Sequence, residues 1–184
     1  MASAVKLLDR NPYRDISVLD IVRDCNINRN TFYYHFRDMP SLLDEIVRRN
    51  IDDILTRYYN DDAPELCLCK ALDRASENRR AIMHVYTSAD RALFDRCLDN
   101  ACQYWATAYV SRRLRHSDVS DDDRCFTAYI CKSIGYGLLS DWFASGMKKS
   151  SESMLRQACL LCLKVPSAPE SAQTDYQGMI NKNG

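Results

Sequence analysis

The chain has 184 residues, with 25 Lys and Arg balanced by 25 Asp and Glu, so its formal net charge is zero and no strong field of either sign marks it for nucleic acid or for a charged surface. No stretch approaches the ~18–20 apolar residues of a membrane span, and the first residues lack the basic-then-apolar order of a secretory leader. Nine cysteines without such a leader suit free thiols in a reducing cytoplasm better than a disulfide framework. Five glycines and almost no alternating apolar and polar runs lead to the expectation of an all-α chain.

The first element is a short helix carrying Ala4, Val5, Leu7 and Leu8, broken at Asn11-Pro12. Ser17 then offers an N-cap with Asp20 as a capping-box partner. Val18, Ile21, Val22 and Cys25 follow at i, i+3, i+4 and i+7, one apolar face of a helix. Asn26 tolerates the left-handed backbone that would end this helix. Ile27 is expected to plug the angle beyond it, and Asn28 to cap the next helix. There Phe32 and Phe36 share a core face. Asn30, Tyr34 and Arg37 project from the opposite side, with Thr31, Tyr33 and His35 at its edges and Arg29 at its start. Two short helices and a three-residue turn, the second with a polar, aromatic and basic face, suit entry into the DNA major groove. The candidate DNA-contacting residues are Ser17, Asn28, Arg29, Asn30, Thr31, Tyr33, Tyr34, His35 and Arg37. Residues 1–50 hold eight Lys/Arg and seven Asp/Glu, so charge contributes little to this reading and non-specific binding should be weak.

The run Thr31-Phe32-Tyr33-Tyr34-His35-Phe36, together with Ile16 to Val22, resembles the TetR family of bacterial transcription regulators. The resemblance implies a three-helix DNA-binding head at residues 1–50, with its motif at about 18–37, on a regulatory and dimerisation core at 51–165. It also implies a double-stranded DNA operator and a homodimer as partners. Two departures stand out. The family places a basic residue just after the Phe, at the start of the fourth helix, to hold DNA phosphate. This chain has Arg37-Asp38-Met39-Pro40, where Met39 cannot pair with phosphate and Arg37 is the candidate substitute. The family's first helix is also longer and more basic.

A long helix from Met39 to Tyr59 follows, capped by Asp38, with Pro40 in its first turn and a stripe through Leu43, Ile46, Val47, Ile51, Ile54 and Leu55. Asn60-Asp61-Asp62-Ala63-Pro64 breaks it. Helices are expected from Glu65 to about Arg80, from Ala81 to Thr87, and from a Ser88 cap to about Leu114, the last ending in Arg112, Arg113, Arg115 and His116. Ser120 caps another, with Asp121, Asp122 and Asp123 in its first turn, running to about Ser145 and stopping at Gly146. A last helix begins at Ser150 or Ser151 and passes through Met154, Leu155, Ala158, Leu161 and Cys162, ending before Pro166. About nine helices result. Residues 166–184 read as a disordered tail.

Phe126, Ile130, Ile134 and Leu138 recur at i+4 beside the small residues Ser133, Gly137 and Ser140, a face suited to helix-to-helix association. The expected dimer interface is Phe126, Ile130, Ser133, Ile134, Gly137, Leu138, Asp141, Leu155 and Leu161; the alternative is packing within one chain. Gly137 to Phe143 also resembles, more loosely, the penultimate helix of one TetR branch, the activators of dihydroxyacetone kinase operons, over about residues 130–163.

No Ser/His/Asp set, paired-carboxylate spacing or Gly-rich phosphate loop points to an enzyme or a cofactor. Cys159 and Cys162 form a helical CxxC with no second pair at zinc-site spacing, leaving structural thiols or a redox switch and no metal site. A pocket for a small effector is expected among the helices at 65–145, lined by Met83, Tyr86, Phe94, Tyr104, Trp105, Tyr109 and Tyr129. The alternatives are a partner protein docking on the core, as the kinase-operon activator branch implies, an interaction module that has lost DNA binding, or a thiol redox sensor. Effector identity and the choice between repression and activation stay open.

Overall fold

The computed structural model describes residues 1–63, 65–88, 91–149, 153, 156 and 157. Among these there are eight α-helices and no strands: α1 Ala2–Arg10, α2 Val18–Asp24, α3 Arg29–His35, α4 Met39–Tyr58, α5 Glu65–Glu77, α6 Arg79–Ser88, α7 Arg91–Arg113 and α8 Asp121–Ala144. One 3-10 turn, Tyr13–Asp15, follows α1 after the Asn11-Pro12 break. The ninth helix expected at 150–164 and the tail at 166–184 lie almost wholly outside the described residues. No helix of the described residues is long and apolar enough to cross a membrane.

Local chemistry sets most of the boundaries. Asp38 accepts from the Ser41 N–H at 2.8 Å, and the Ser41 hydroxyl accepts from the Asp38 N–H, a capping box at the head of α4 with Pro40 in its first turn. Ser120 caps α8 through the Asp123 N–H. At the far end of α8, Gly146 has φ 73°. Its N–H reaches the Phe143 carbonyl, while the Met147 N–H reaches that of Trp142, the two bonds of a Schellman motif. Two boundaries differ from the sequence reading. α5 stops at Glu77 rather than Arg80, because Asn78 folds its side-chain amide back onto the Arg74 carbonyl at 2.8 Å. Ser88, expected to cap the following helix, is instead the last residue of α6.

Apolar burial falls into three clusters. The first holds Ala4 and Leu8 of α1, Ile16, Ile21 and Val22, Phe32 of α3, Leu42 and Leu43 of α4, and also Ala81 of α6. The second joins Ile51, Ile54 and Leu55 of α4 to Cys67, Ala106, Tyr109, Val110 and Ala128. The third joins Leu72, Phe94, Leu98 and Cys102 to Trp142, Phe143 and Met147. α4 runs unbroken from the first cluster into the second. α6 lies between the first and the third, since Ala81 belongs to one, Ile82, Met83 and Tyr86 to the other, and Val85 to both. Hydrogen bonds anchor α6 at each side. His84 Nδ1 lies 2.7 Å from the Leu8 carbonyl in the last turn of α1, and Arg79 donates twice to the Gly146 carbonyl, at 3.1 and 2.8 Å.

Two predictions follow from this packing. Asn26 holds φ 52°, so Asn26→Gly should keep or slightly raise the urea midpoint, while Asn26→Val should lower stability by about 1–2 kcal/mol; equal midpoints for the two would contradict the assignment. Burial pushes the thiols of Cys67 to about 11 and of Cys97 and Cys102 to about 12, from 9.0. The folded state therefore keeps protons that the unfolded chain loses above pH 9, so stability should be full below pH 9 and fall between about 9 and 12. A urea midpoint at pH 10.5 no lower than at pH 8 would refute this.

Candidate nucleic-acid interface

The segment from Ser17 to Phe36 is built by three local devices. Ser17 and Asp20 form a capping box: the Asp20 N–H donates to Ser17 Oγ at 3.3 Å and the Ser17 N–H to Asp20 Oδ2 at 2.9 Å, while the Ser17 hydroxyl donates to the same carboxylate oxygen at 2.6 Å. These bonds, the hydroxyl's first, hold the Asp20 carboxyl below its usual range, keeping an anion at the positive end of α2. α2 then closes on a Schellman motif, with the Asn26 N–H on the Arg23 carbonyl and the Ile27 N–H on that of Val22. Asn28 finally caps α3, its Oδ1 accepting from the Thr31 N–H at 2.8 Å and the Thr31 hydroxyl at 3.1 Å.

Phe32, 1% exposed, pins α3 to the first cluster and stacks edge-on against Tyr33 at 5.4 Å. The opposite face is open. Tyr34 is 85% exposed and Tyr33 54%, with Arg29, Asn30 and His35 exposed beside them. The structure thus brings the candidate DNA residues of α3 onto one outward surface. It also gives some of them prior duties: Ser17, Asn28 and Thr31 spend polar atoms on caps, and Arg37 pairs with Asp38 at 3.2 Å. The side chains of Arg29 and Asn30 make no hydrogen bond or ion pair among the described residues.

Ile27 corrects the sequence reading. It does not plug the angle between α2 and α3 but is 40% exposed, because the left-handed turn at Asn26 carries its side chain outward. Ile16, Ile21 and Val22 fill the angle instead. Met39, noted as a departure after the Phe, is half-buried against the first cluster, which accounts for an apolar side chain there.

The residues expected to line a single effector pocket do not converge. Met83, Tyr86 and Phe94 belong to the third cluster, where Phe94 meets Tyr86 and Phe143 edge-on at 4.9 and 5.4 Å. Tyr104, Trp105 and Tyr109 belong to the second, where Tyr104 also donates to Asp52 at 2.6 Å. Tyr129 is 61% exposed and lines neither. Two open depressions of about 340 and 310 Å³ lie along α4 instead, the first lined mostly by charged and polar side chains and the second half by apolar ones of α1 and α4, with Arg74 in both. Sequence reasoning did not single out Arg74, since a helical arginine carries no spacing signal of its own.

On α8 the residues proposed as a dimer interface do share a surface. Phe126, Ile130, Ser133, Ile134, Gly137 and Asp141 are exposed, with Tyr129 beside them, while Leu138 is half-buried against the third cluster. Leu155 and Leu161 lie outside the described residues. So do Cys159 and Cys162, and no group of three or more His, Cys, Asp and Glu is placed to hold a metal among the described residues.

Residues 1–46 match the family described as bacterial regulatory proteins, tetR family, and residues 62–163 match the transcriptional regulator C-terminal region. No curated protein matches the chain. Among solved structures, the dihydroxyacetone kinase operon activator DhaS is similar, with a TM-score of 0.59 and 21% identity over 88% of this chain and 90% of that one. At that identity the likeness concerns the fold alone. With both halves matched and the helix–turn–helix in place, the chain belongs to the TetR family of transcription regulators.

Proposed function

We propose that the chain is a sequence-specific DNA-binding regulator that works as a homodimer. The observation that carries the reading is the outward face of α3, where Arg29, Asn30, Tyr33, Tyr34 and His35 stand exposed on a helix held rigidly by caps at one end and Phe32 beneath. A helix of this kind reads base edges from its N-terminal turn while flanking groups meet phosphate. Two such heads, brought about 34 Å apart by a two-fold axis, would engage successive major grooves.

The exposed stripe of α8 supports the dimer. Phe126, Tyr129, Ile130 and Ile134 are 63, 61, 41 and 44% exposed, a contiguous apolar surface on one helix that water disfavours. A Cβ built at Gly137 meets nothing within 4 Å among the described residues, which suits the close approach of a second helix.

Control by an effector is the finer part of the reading. The division of the core aromatics between two packed clusters favours a protein partner on the core over a small molecule within it. A ligand carried through purification and seen by native mass spectrometry would reverse that preference. Equal operator affinity of oxidised and reduced protein would dispose of a thiol switch.

Gly137→Arg should convert the dimer to monomers in sedimentation without changing the monomer's helical signal; a wild type already monomeric at micromolar concentration would sink the dimer. Tyr34→Ala should weaken operator binding in an electrophoretic shift. Lys6, Arg14 and Arg37 are paired with Asp24, Asp15 and Asp38. Arg10, Arg23 and Arg29 are in no ion pair among the described residues, so a dimer should neutralise few phosphates. The slope of log K against log salt should be no steeper than about −5. No shift with any genomic fragment at low salt would instead support an interaction module that does not bind DNA.

A further inference from the structure

The reading of α3 as a DNA-binding helix leaves open what it reads, and the hydrogen-bond inventory of its first turn narrows the choice. Four polar side chains lie there, at positions 28 to 31. Asn28 Oδ1 accepts from the Thr31 N–H at 2.8 Å and from the Thr31 hydroxyl at 3.1 Å, which commits the one side-chain acceptor of Asn28 and the one hydroxyl donor of Thr31 to the cap. Arg29 and Asn30 are exposed, and their side chains have neither a hydrogen bond nor an ion pair among the described residues. Asn30 stands nearly opposite the buried Phe32 around the helix, in line with the widely exposed Tyr34 one turn on. Beside them Ile27 is an apolar side chain 40% exposed in an otherwise polar turn, held there by its N–H on the Val22 carbonyl at 3.0 Å.

These three groups differ in chemistry, and the major groove offers a distinct partner to each. A guanidinium fork matches the two acceptors of guanine, O6 and N7. A carboxamide matches the donor–acceptor pair of adenine, N6 and N7. An exposed aliphatic side chain matches the C5 methyl of thymine.

Resting on the DNA-binding reading above, we propose that each head recognises a half-site through a guanine held by Arg29, an adenine held by Asn30 and a thymine methyl group packed on Ile27. The cap residues Asn28 and Thr31 orient α3, and with the Asn28 acceptor taken neither offers adenine a free donor–acceptor pair. Tyr34 lies along the same line without a directional match to one base, so it tolerates any sequence beneath it.

The test is enrichment of random duplexes by the full-length protein, repeated with Arg29→Ala, Asn30→Ala, Asn30→Asp and Ile27→Ala. The wild type should enrich half-sites with a required guanine and adenine. Arg29→Ala should lose discrimination at the guanine alone, and Asn30→Ala at the adenine alone, each on the order of tenfold. Asn30→Asp should move the preference from adenine to cytosine, whose amino group a carboxylate can accept. Replacing the thymine by deoxyuridine, which removes one methyl, should weaken the wild type about fourfold and leave Ile27→Ala unchanged. All four substitutions fall at exposed positions, and the helical signal and unfolding midpoint of each variant verify that the fold is kept. A wild type that enriches a clear site whose preferences survive in Arg29→Ala and in Asn30→Ala overturns the base assignment while leaving DNA binding intact. Equal affinity for thymine and deoxyuridine overturns the role of Ile27. Failure of the wild type to enrich any sequence at low salt overturns the DNA-binding reading and this assignment with it.

Discussion

The N-terminal helices are too few to close a core by themselves, and α6 makes up the deficit. Ala81, 7% exposed, fills the gap over Ala4 and Leu8, and His84 meets the Leu8 carbonyl in the last turn of α1, where the helix leaves a backbone acceptor unsatisfied. The same short helix carries Ile82, Met83 and Tyr86 into the third cluster and holds the end of α8 through Arg79. Helix α6 thus touches the body of the head on one side and the terminus of the exposed α8 stripe on the other. A change in how α8 is seated would be felt by α1 through α6, which is hydrogen-bonded to both.

A second connection runs beside it. α4 and α7 lie in the same direction, and one edge of their seam is polar. Asn100 reaches Asp44 at 3.4 Å, Arg48 lies over the Tyr104 ring at 5.9 Å, and Tyr104 donates to Asp52 at 2.6 Å. These contacts repeat about once per turn along α4. Polar contacts at the edge of an apolar seam specify register more than they add stability, because each group exchanges one partner for another while the apolar cluster supplies the burial. The seam joins the head to the second cluster, so the head is tied to the rest of the molecule at two places, through α6 and through α4.

Features governed by near neighbours were legible in the sequence. Ser17, Asn28, Asp38 and Ser120 cap helices as their residue types and positions dictate, Asn26 takes the left-handed turn, Gly146 ends α8, and Phe32 is buried at the centre of the head. Each depends on residues within four or five of it. The failures involve distance. Ile27 is a local exception: its apolar character pointed inward, and the left-handed turn at Asn26 sends it outward. Aromatic rings in α6, α7 and α8 could be recognised as candidates for burial, but their assignment to two clusters and an exposed face depends on which helices meet. Ala81 and His84 carry no local mark of their contact with α1, since a small residue and a lone histidine fit many environments. The three donations of Arg124 to the carbonyls of Leu114, Ser117 and Val119 were equally silent, although they shape the turn from which α8 departs.

The contact between α1 and α6 also bears on the order in which the molecule can assemble. His84 and Leu8 are 76 positions apart in the chain. A ribosome adding about 5–20 residues per second leaves the three N-terminal helices waiting for several seconds before their missing wall has been made. During that interval Ala4, Leu8 and their neighbours lack the cover that Ala81 supplies. The nascent segment should remain loosely collapsed and recognisable to chaperones that bind exposed apolar chain. The surface that would meet DNA therefore acquires its fixed shape only after α6 has been synthesised, so an incompletely translated fragment would lack a rigid recognition helix to present to the chromosome.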